Sequence, residues 1–289
     1  MHWQKMTIVG VGLLGGSLGL AAKQRGLVGQ VHGYVRRAAS IAECEKLGVV
    51  QKATQDLKEA VQDADLIVLC TPITQMRELV EQMLPALKSG ALVTDVGSVK
   101  GSVVHQLEPL LARTQAHFIG SHPMAGAEKG GAGAARSDLF ENAICVITPT
   151  SNSRKECLRK VQEFWQNVGA RTICLSPEVH DDLVSRSSHL PHIVAAELAN
   201  YVLSPVHPKE QALLCANGFR DTTRIASSSP EMWRDISLAN RKNLARVLGV
   251  FIEDLQEFQL ALEREDLKAI EEFFEQAKQR RDHWCSNLS

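Results

Sequence analysis

The chain has 289 residues, 44% of them hydrophobic and 22% charged, with a formal net charge of −1. That length suits two domains with a sizeable core, and the near-neutral balance argues against nucleic acid or a membrane surface as partner, since both call for a basic face. Seven scattered cysteines (Cys44, Cys70, Cys145, Cys157, Cys174, Cys215 and Cys285) form no C-x-x-C pair, which argues against a disulfide framework and reads as reduced thiols in a cytoplasmic protein.

In chain order, "KMTIVGVG" (5–12) enters a strand almost at once, without the charged and apolar leader of an exported chain. No apolar run approaches the roughly 18 residues of a membrane span. Strands are expected at 6–9, 31–34, 65–70, 91–96 and 116–120, and amphipathic helices at 14–25, 39–47, 74–87 and 101–113. Alternation of this kind argues for a parallel sheet covered on both faces. Two further apolar runs, 143–149 and 170–175, flank a helical segment and are expected to extend the same sheet. After about Pro177 the strand signals stop, and helical patterns run on, notably 237–263 and 265–284. The expectation is therefore an α/β protein, with a Rossmann-type doubly wound domain over 1–176 and an all-α domain over 177–289. Helices this long in a short segment suggest a homodimer interface, with a self-contained bundle as the alternative.

"TIVGVGLLGGSLGLA" places G-x-G-x-x-G at Gly10, Gly12 and Gly15, between a strand and a helix. The first glycine permits the tight turn, the second lets backbone approach a pyrophosphate, and the third lets helix and strand pack closely. The helix N-terminus, opening at Leu13 and Leu14, then faces the negative charge. An NAD-binding fold usually carries Asp or Glu at the end of the second strand. This chain has "GYVRRAAS" there instead. Arg36, with Arg37 and Ser40 as helpers, suits a 2′-phosphate and points to NADP rather than NAD; two solvated arginines are the plain alternative. Cys70, Thr71 and Pro72 in "CTPI" follow the next strand and would border the same cofactor.

Ligands of open α/β sheets sit at the carboxyl ends of the strands. Besides "CTPI", the loops "DVGSVKGSV" (95–103) and "GSHPMAGAEKGG" (120–131) should meet there. With "SHLPH" (188–192) and "NGFRDTTRIA" (217–226), these segments resemble the prephenate/arogenate dehydrogenase family of tyrosine biosynthesis, over nearly the whole chain. The resemblance implies oxidation of a cyclohexadienol ring with loss of carbon dioxide and hydride transfer to a nicotinamide. It implies His122 as the acceptor of the ring hydroxyl proton, a role that suits an imidazole titrating near neutrality. Ser98 matches the serine that orients this histidine, with a helix N-cap as its structural alternative. Arg224 matches the carboxylate-binding arginine, His189 and His192 line the substrate, and Glu128 stands at the mouth.

Lys100 reads as a solvated lysine. His180, His189 and His192 tempt a metal assignment, but no cysteine or carboxylate cluster completes a shell, so no metal is expected. A histidine at 192 suits the keto group of prephenate better than the ammonium of arogenate, with arogenate or dual specificity the alternative. A reductase of similar architecture and a non-catalytic NADP-binding sensor are the more distant readings.

Overall fold

The computed structural model describes residues 2–127 and 129–287. Six strands, β1 (Trp3–Val9), β2 (Val28–Tyr34), β3 (Lys52–Thr54), β4 (Leu66–Leu69), β5 (Leu92–Asp95) and β6 (His117–Phe118), form one sheet in the order β3-β2-β1-β4-β5-β6. All of its pairings are parallel. Helices α1 (Leu13–Gln24), α2 (Ala39–Lys46), α3 (Leu57–Val61), α4 (Ile73–Met83) and α5 (Gly101–Leu111) connect successive strands. A strand buried on both faces must be apolar at every position. β4 meets this condition: Leu66 and Val68 pack into one apolar cluster with Met6, Ile8 and Leu18, while Ile67 and Leu69 pack into another with Val80, Val93 and Leu107.

The expected strand at 116–120 is broken. β6 ends at Phe118, and a new strand, β7 (Gly120–Pro123), pairs antiparallel with β8 (Ile144–Thr148). β8 pairs parallel with β9 (Arg171–Cys174) across α6 (Lys155–Asn167). The runs at 143–149 and 170–175 therefore build a separate three-stranded sheet, β7-β8-β9, rather than extending the first. Apolar periodicity gives a strand's type but not its partner. One consequence corrects the sequence reading: His122, expected on a loop, sits on β7 opposite Val146 and is only 7% exposed.

The helices that follow are α7 (Pro177–Val184), α8 (Leu190–Val202), α9 (Glu210–Leu213), α10 (Asn217–Thr223) and α11 (Pro230–Ala239). A turn of π-helix, Ser185–His189, joins α7 to α8 just before Pro191. Proline has no N–H for the regular ladder, and the wider turn accommodates its ring. The helix expected from 237 to 263 is divided at Asn240, which ends α11 and turns its side chain inward. These elements belong to one compact unit, Met1–Arg241. A second unit, Lys242–Ser289, holds α12 (Arg241–Glu263, but for its first residue) and α13 (Leu267–Ser286), in which Phe258 packs against Phe273 and Phe274. Among the described residues, no helix is long and apolar enough to cross a membrane.

Candidate active site

Register puts four strand ends in one row: Tyr34 lies beside Val9, Val9 beside Leu69, and Leu69 beside Asp95. The chain reverses direction across the sheet between β1 and β4, the point where ligands of such sheets bind. Gly10 leaves β1 with φ of +100°, and a Cβ there would lie 2.9 Å from the Cys70 carbonyl, so the glycine loop rests directly on Cys70 and Thr71. A Cβ on Gly15 would meet the Gly10 carbonyl oxygen at 2.3 Å, which holds α1 close to β1. Gly12, by contrast, faces open space, with none of the described residues within 4 Å of where its Cβ would be. The α1 N-terminus has no side-chain cap and no acidic residue in its first turn. Thr71 Oγ1 is buried without a hydrogen-bond partner among the described residues. An open cradle, uncapped helix N–H groups and an orphaned hydroxyl fit a dinucleotide pyrophosphate. Arg36 and Arg37 stand exposed beyond β2, and Ser40 opens α2 beside them.

The next strand end holds a feature that the sequence reading missed. Lys100 is not solvated: it is fully buried, its Nζ paired with the equally buried Asp95 carboxylate and donating to the Ser121 carbonyl at 2.8 Å. Asp95 also accepts from the backbone N–H of Gly97 (2.8 Å) and Ser121 (3.1 Å). The Ser121 hydroxyl bonds the Asp95 carbonyl at 2.5 Å and accepts from the Trp165 indole at 3.0 Å. Buried charges persist only when paired and hydrogen-bonded. Here the pair pins β7, and so His122, to the end of β5.

His122 Nδ1 is hydrogen-bonded to His180 Nε2 at 2.8 Å, which leaves Nε2 as the nitrogen able to meet a ligand. His180 Nδ1 in turn bonds Asp181 Oδ1 at 2.8 Å. Burial holds the His122 pKa well below the ordinary 6.5, and neighbouring His180, Lys100 and His189 act in the same direction. The ring is therefore neutral at pH 7. Its orienting bond comes from His180 rather than from Ser98, whose carbonyl instead faces His189. The sequence signal for this chain was "VHDD" (179–182), a histidine beside two carboxylates in a helix, of which only His180 entered the sequence reading, as a metal possibility. Among the described residues no group of His, Cys, Asp or Glu is arranged to hold a metal ion.

His189 and His192 converge on Trp233 of α11. The His192 ring stacks on the indole at 3.8 Å and His189 meets it edge-on at 5.9 Å. Asn240 Nδ2 lies 3.2 Å from His189 Nδ1 and donates to the Asp181 carbonyl at 2.8 Å. Burial, foremost, lowers the His189 pKa to about 4. Trp233 Nε1 is buried without a hydrogen-bond partner among the described residues. Unpaired polar atoms of this kind cost free energy unless a ligand meets them. Burial, foremost, lowers the His192 pKa, its bond to the Ser188 carbonyl opposes that, and Arg224, exposed after α10, lowers it further. His189 lowers the pKa of His122 and is itself lowered by His192, and so links the two groups. Glu128 lies outside the described residues.

A parallel sheet of this strand order, a glycine-rich turn into an uncapped helix and a buried neutral histidine on the strand pinned to the end of β5 are the features of a dinucleotide-dependent oxidoreductase. Residues 18–174 match the nucleotide-binding domain of prephenate dehydrogenase, and 176–278 match its dimerization domain. The prephenate dehydrogenase of Bacillus subtilis is 34% identical over 98% of this chain and 77% of its own length. The crystal structure of prephenate dehydrogenase from Aquifex aeolicus, in complex with hydroxyphenyl propionate and NAD+, superposes with a TM-score of 0.91 at 33% identity, covering 98% of this chain and 99% of that one. Synechocystis arogenate dehydrogenase superposes with a TM-score of 0.82 at 30% identity, over 97% of this chain and 100% of its own. The chain belongs to the prephenate dehydrogenase family and is a dehydrogenase of tyrosine biosynthesis.

Proposed function

We propose that the protein oxidises prephenate to 4-hydroxyphenylpyruvate with loss of carbon dioxide, using NADP+. The observation that carries this reading is His122: a buried, neutral imidazole with one nitrogen committed to His180 and the other available, on a strand tied to Asp95 at the end of β5. In this reading Nε2 of His122 accepts the proton of the ring hydroxyl as hydride leaves the same carbon. The nicotinamide, when bound, supplies the hydride acceptor. Arg224 holds a substrate carboxylate through its fork of donors, and the orphaned N–H of Trp233 is a second donor for the same end. His189 and His192 line the ring and the side chain, the Ser98 hydroxyl completes the contact with the ring oxygen, and Glu128 is assigned to the mouth.

Burial disfavours charge on His192, and the Arg224 cation beside it would repel the ammonium of arogenate, which supports the keto acid. The two exposed arginines beyond β2, where a carboxylate would serve NAD, support NADP+. Gly10, Gly12, Leu13, Leu14 and Gly15, with Cys70, Thr71 and Pro72, form the remaining cofactor contacts. Exposed apolar side chains on the last two helices, among them Val250, Leu255, Leu267, Phe274 and Trp284, support a homodimer built on the region 177–289, with the dinucleotide domain in 1–176. Free thiols throughout support a cytoplasmic setting. Initial rates of cofactor reduction with prephenate and arogenate, each with NADP+ and NAD+, test the assignment. Prephenate with NADP+ should give the highest kcat/KM; a higher value for arogenate or for NAD+ would overturn the corresponding half.

A further inference from the structure

We propose that His180 and Asp181 are positioning residues that fix the proton of His122 on Nδ1 and thereby make Nε2 its basic nitrogen. The inference rests on the reading of His122 as proton acceptor, and it follows from where each hydrogen must be. The Asp181 carboxylate accepts from the backbone N–H of Lys100 (2.7 Å) and Gly101 (2.8 Å) at the start of α5, where the helix terminus favours an anion. A carboxylate only accepts, so His180 Nδ1 must donate to it. With its hydrogen spent on Asp181, His180 presents the lone pair of Nε2, and the 2.8 Å bond to His122 then places the hydrogen on His122 Nδ1.

His180 is fully buried and Asp181 is 5% exposed, so water does not compete for these bonds. The charged and titratable groups facing the pair come from several elements: Lys100 ahead of α5, His189 in the π turn and Asp181 on α7. Lys100 is itself neutralised by Asp95. A neutral imidazole in water prefers its hydrogen on Nε2, so without this chain His122 would present the wrong nitrogen to a hydroxyl group. When a proton reaches Nε2, the cation that forms is held by the same two bonds, which end on the Asp181 carboxylate. The Nδ1 hydrogen need not leave.

Nitrogen-15 NMR of histidine-labelled protein at neutral pH reads the tautomer without reference to turnover. The wild type should show His122 protonated on Nδ1. In His180→Phe the hydrogen should move to Nε2 and kcat should fall about a hundredfold, the lower range of what a positioned base contributes, while KM and NADP+ affinity stay close to wild type. His180→Gln, whose amide oxygen can accept the same hydrogen, should keep the Nδ1 tautomer and recover most of kcat. A wild-type His122 protonated on Nε2 overturns the proposal, as does a folded His180→Phe with near-wild-type kcat. Should His180→Phe fail to fold, the wild-type spectrum and His180→Gln decide the matter, and a Gln variant protonated on Nε2 counts against it. A wild type that turns over neither substrate overturns the functional reading, whatever the tautomer; turnover with the hydrogen on Nε2 overturns this inference alone.

Discussion

Lys100→Met removes the cation from a pair in which both side chains are fully buried. The methionine fills much the same volume, so the change leaves an ionised Asp95 with two backbone donors, Gly97 and Ser121, and the Ser121 carbonyl without its lysine. Breaking a buried pair from one side costs about 3–5 kcal/mol. At 2–4 °C per kcal/mol for a domain of this size, Tm should fall by roughly 6–20 °C. The double variant Asp95→Asn/Lys100→Met removes both charges and should be more stable than Lys100→Met alone, giving a coupling of about 1–3 kcal/mol in a double-mutant cycle. Urea unfolding by circular dichroism, at one protein concentration because association adds stability, supplies each corner of the cycle. A Lys100→Met variant within about 1 kcal/mol of wild type would mean that the ammonium is solvated after all. β7 would then be held by something other than the buried pair.

Three further outcomes follow from the same geometry. Arg36→Ala should weaken NADP+ by roughly ten- to a hundredfold, the loss of one hydrogen bond to a charged group; NAD+ affinity should be unchanged, and titration calorimetry with both cofactors measures it. Burial depresses the pKa of His122, His189 and His192, so the unfolded chain binds more protons than the folded one below its own pKa near 6.5. Stability should therefore be full at neutral pH and fall from about 6.5 toward 4, with His189 alone accounting for up to about 3 kcal/mol; urea midpoints across that range check the slope. Trp233→Phe keeps the stacking surface under His192 but removes the unpartnered N–H, and should raise the substrate KM more than it lowers kcat.

Much of the architecture was legible because local signals carried it. Gly10, Gly12 and Gly15 sit between an apolar run and a helical pattern, and the all-buried "LIVL" of β4 admits little but a covered parallel strand. Illegible were the features made by partners distant in sequence. The strand of His122 exists because β8 lies 20 and more residues further on, and nothing local to "GSHPMAG" announces it. Lys100 reads as a surface lysine although Asp95 is near in sequence, because its burial also needs Ser121, which the second sheet brings to it. His180 and Asp181 were visible as residue types, but their use depends on α7 docking at the start of α5. Polar side chains in a core are the hardest to place from sequence, since their burial is decided by three-dimensional partners rather than by periodicity.

The proposed chemistry turns on one imidazole. Single-turnover oxidation of prephenate by NADP+, followed in wild type and His122→Asn with cofactor affinity measured in parallel, tests it most directly. The asparagine variant should bind NADP+ as the wild type does and lose about 10²–10⁴-fold in the rate of cofactor reduction. A variant that reduces the cofactor at close to the wild-type rate would contradict the assignment of His122 as the proton acceptor.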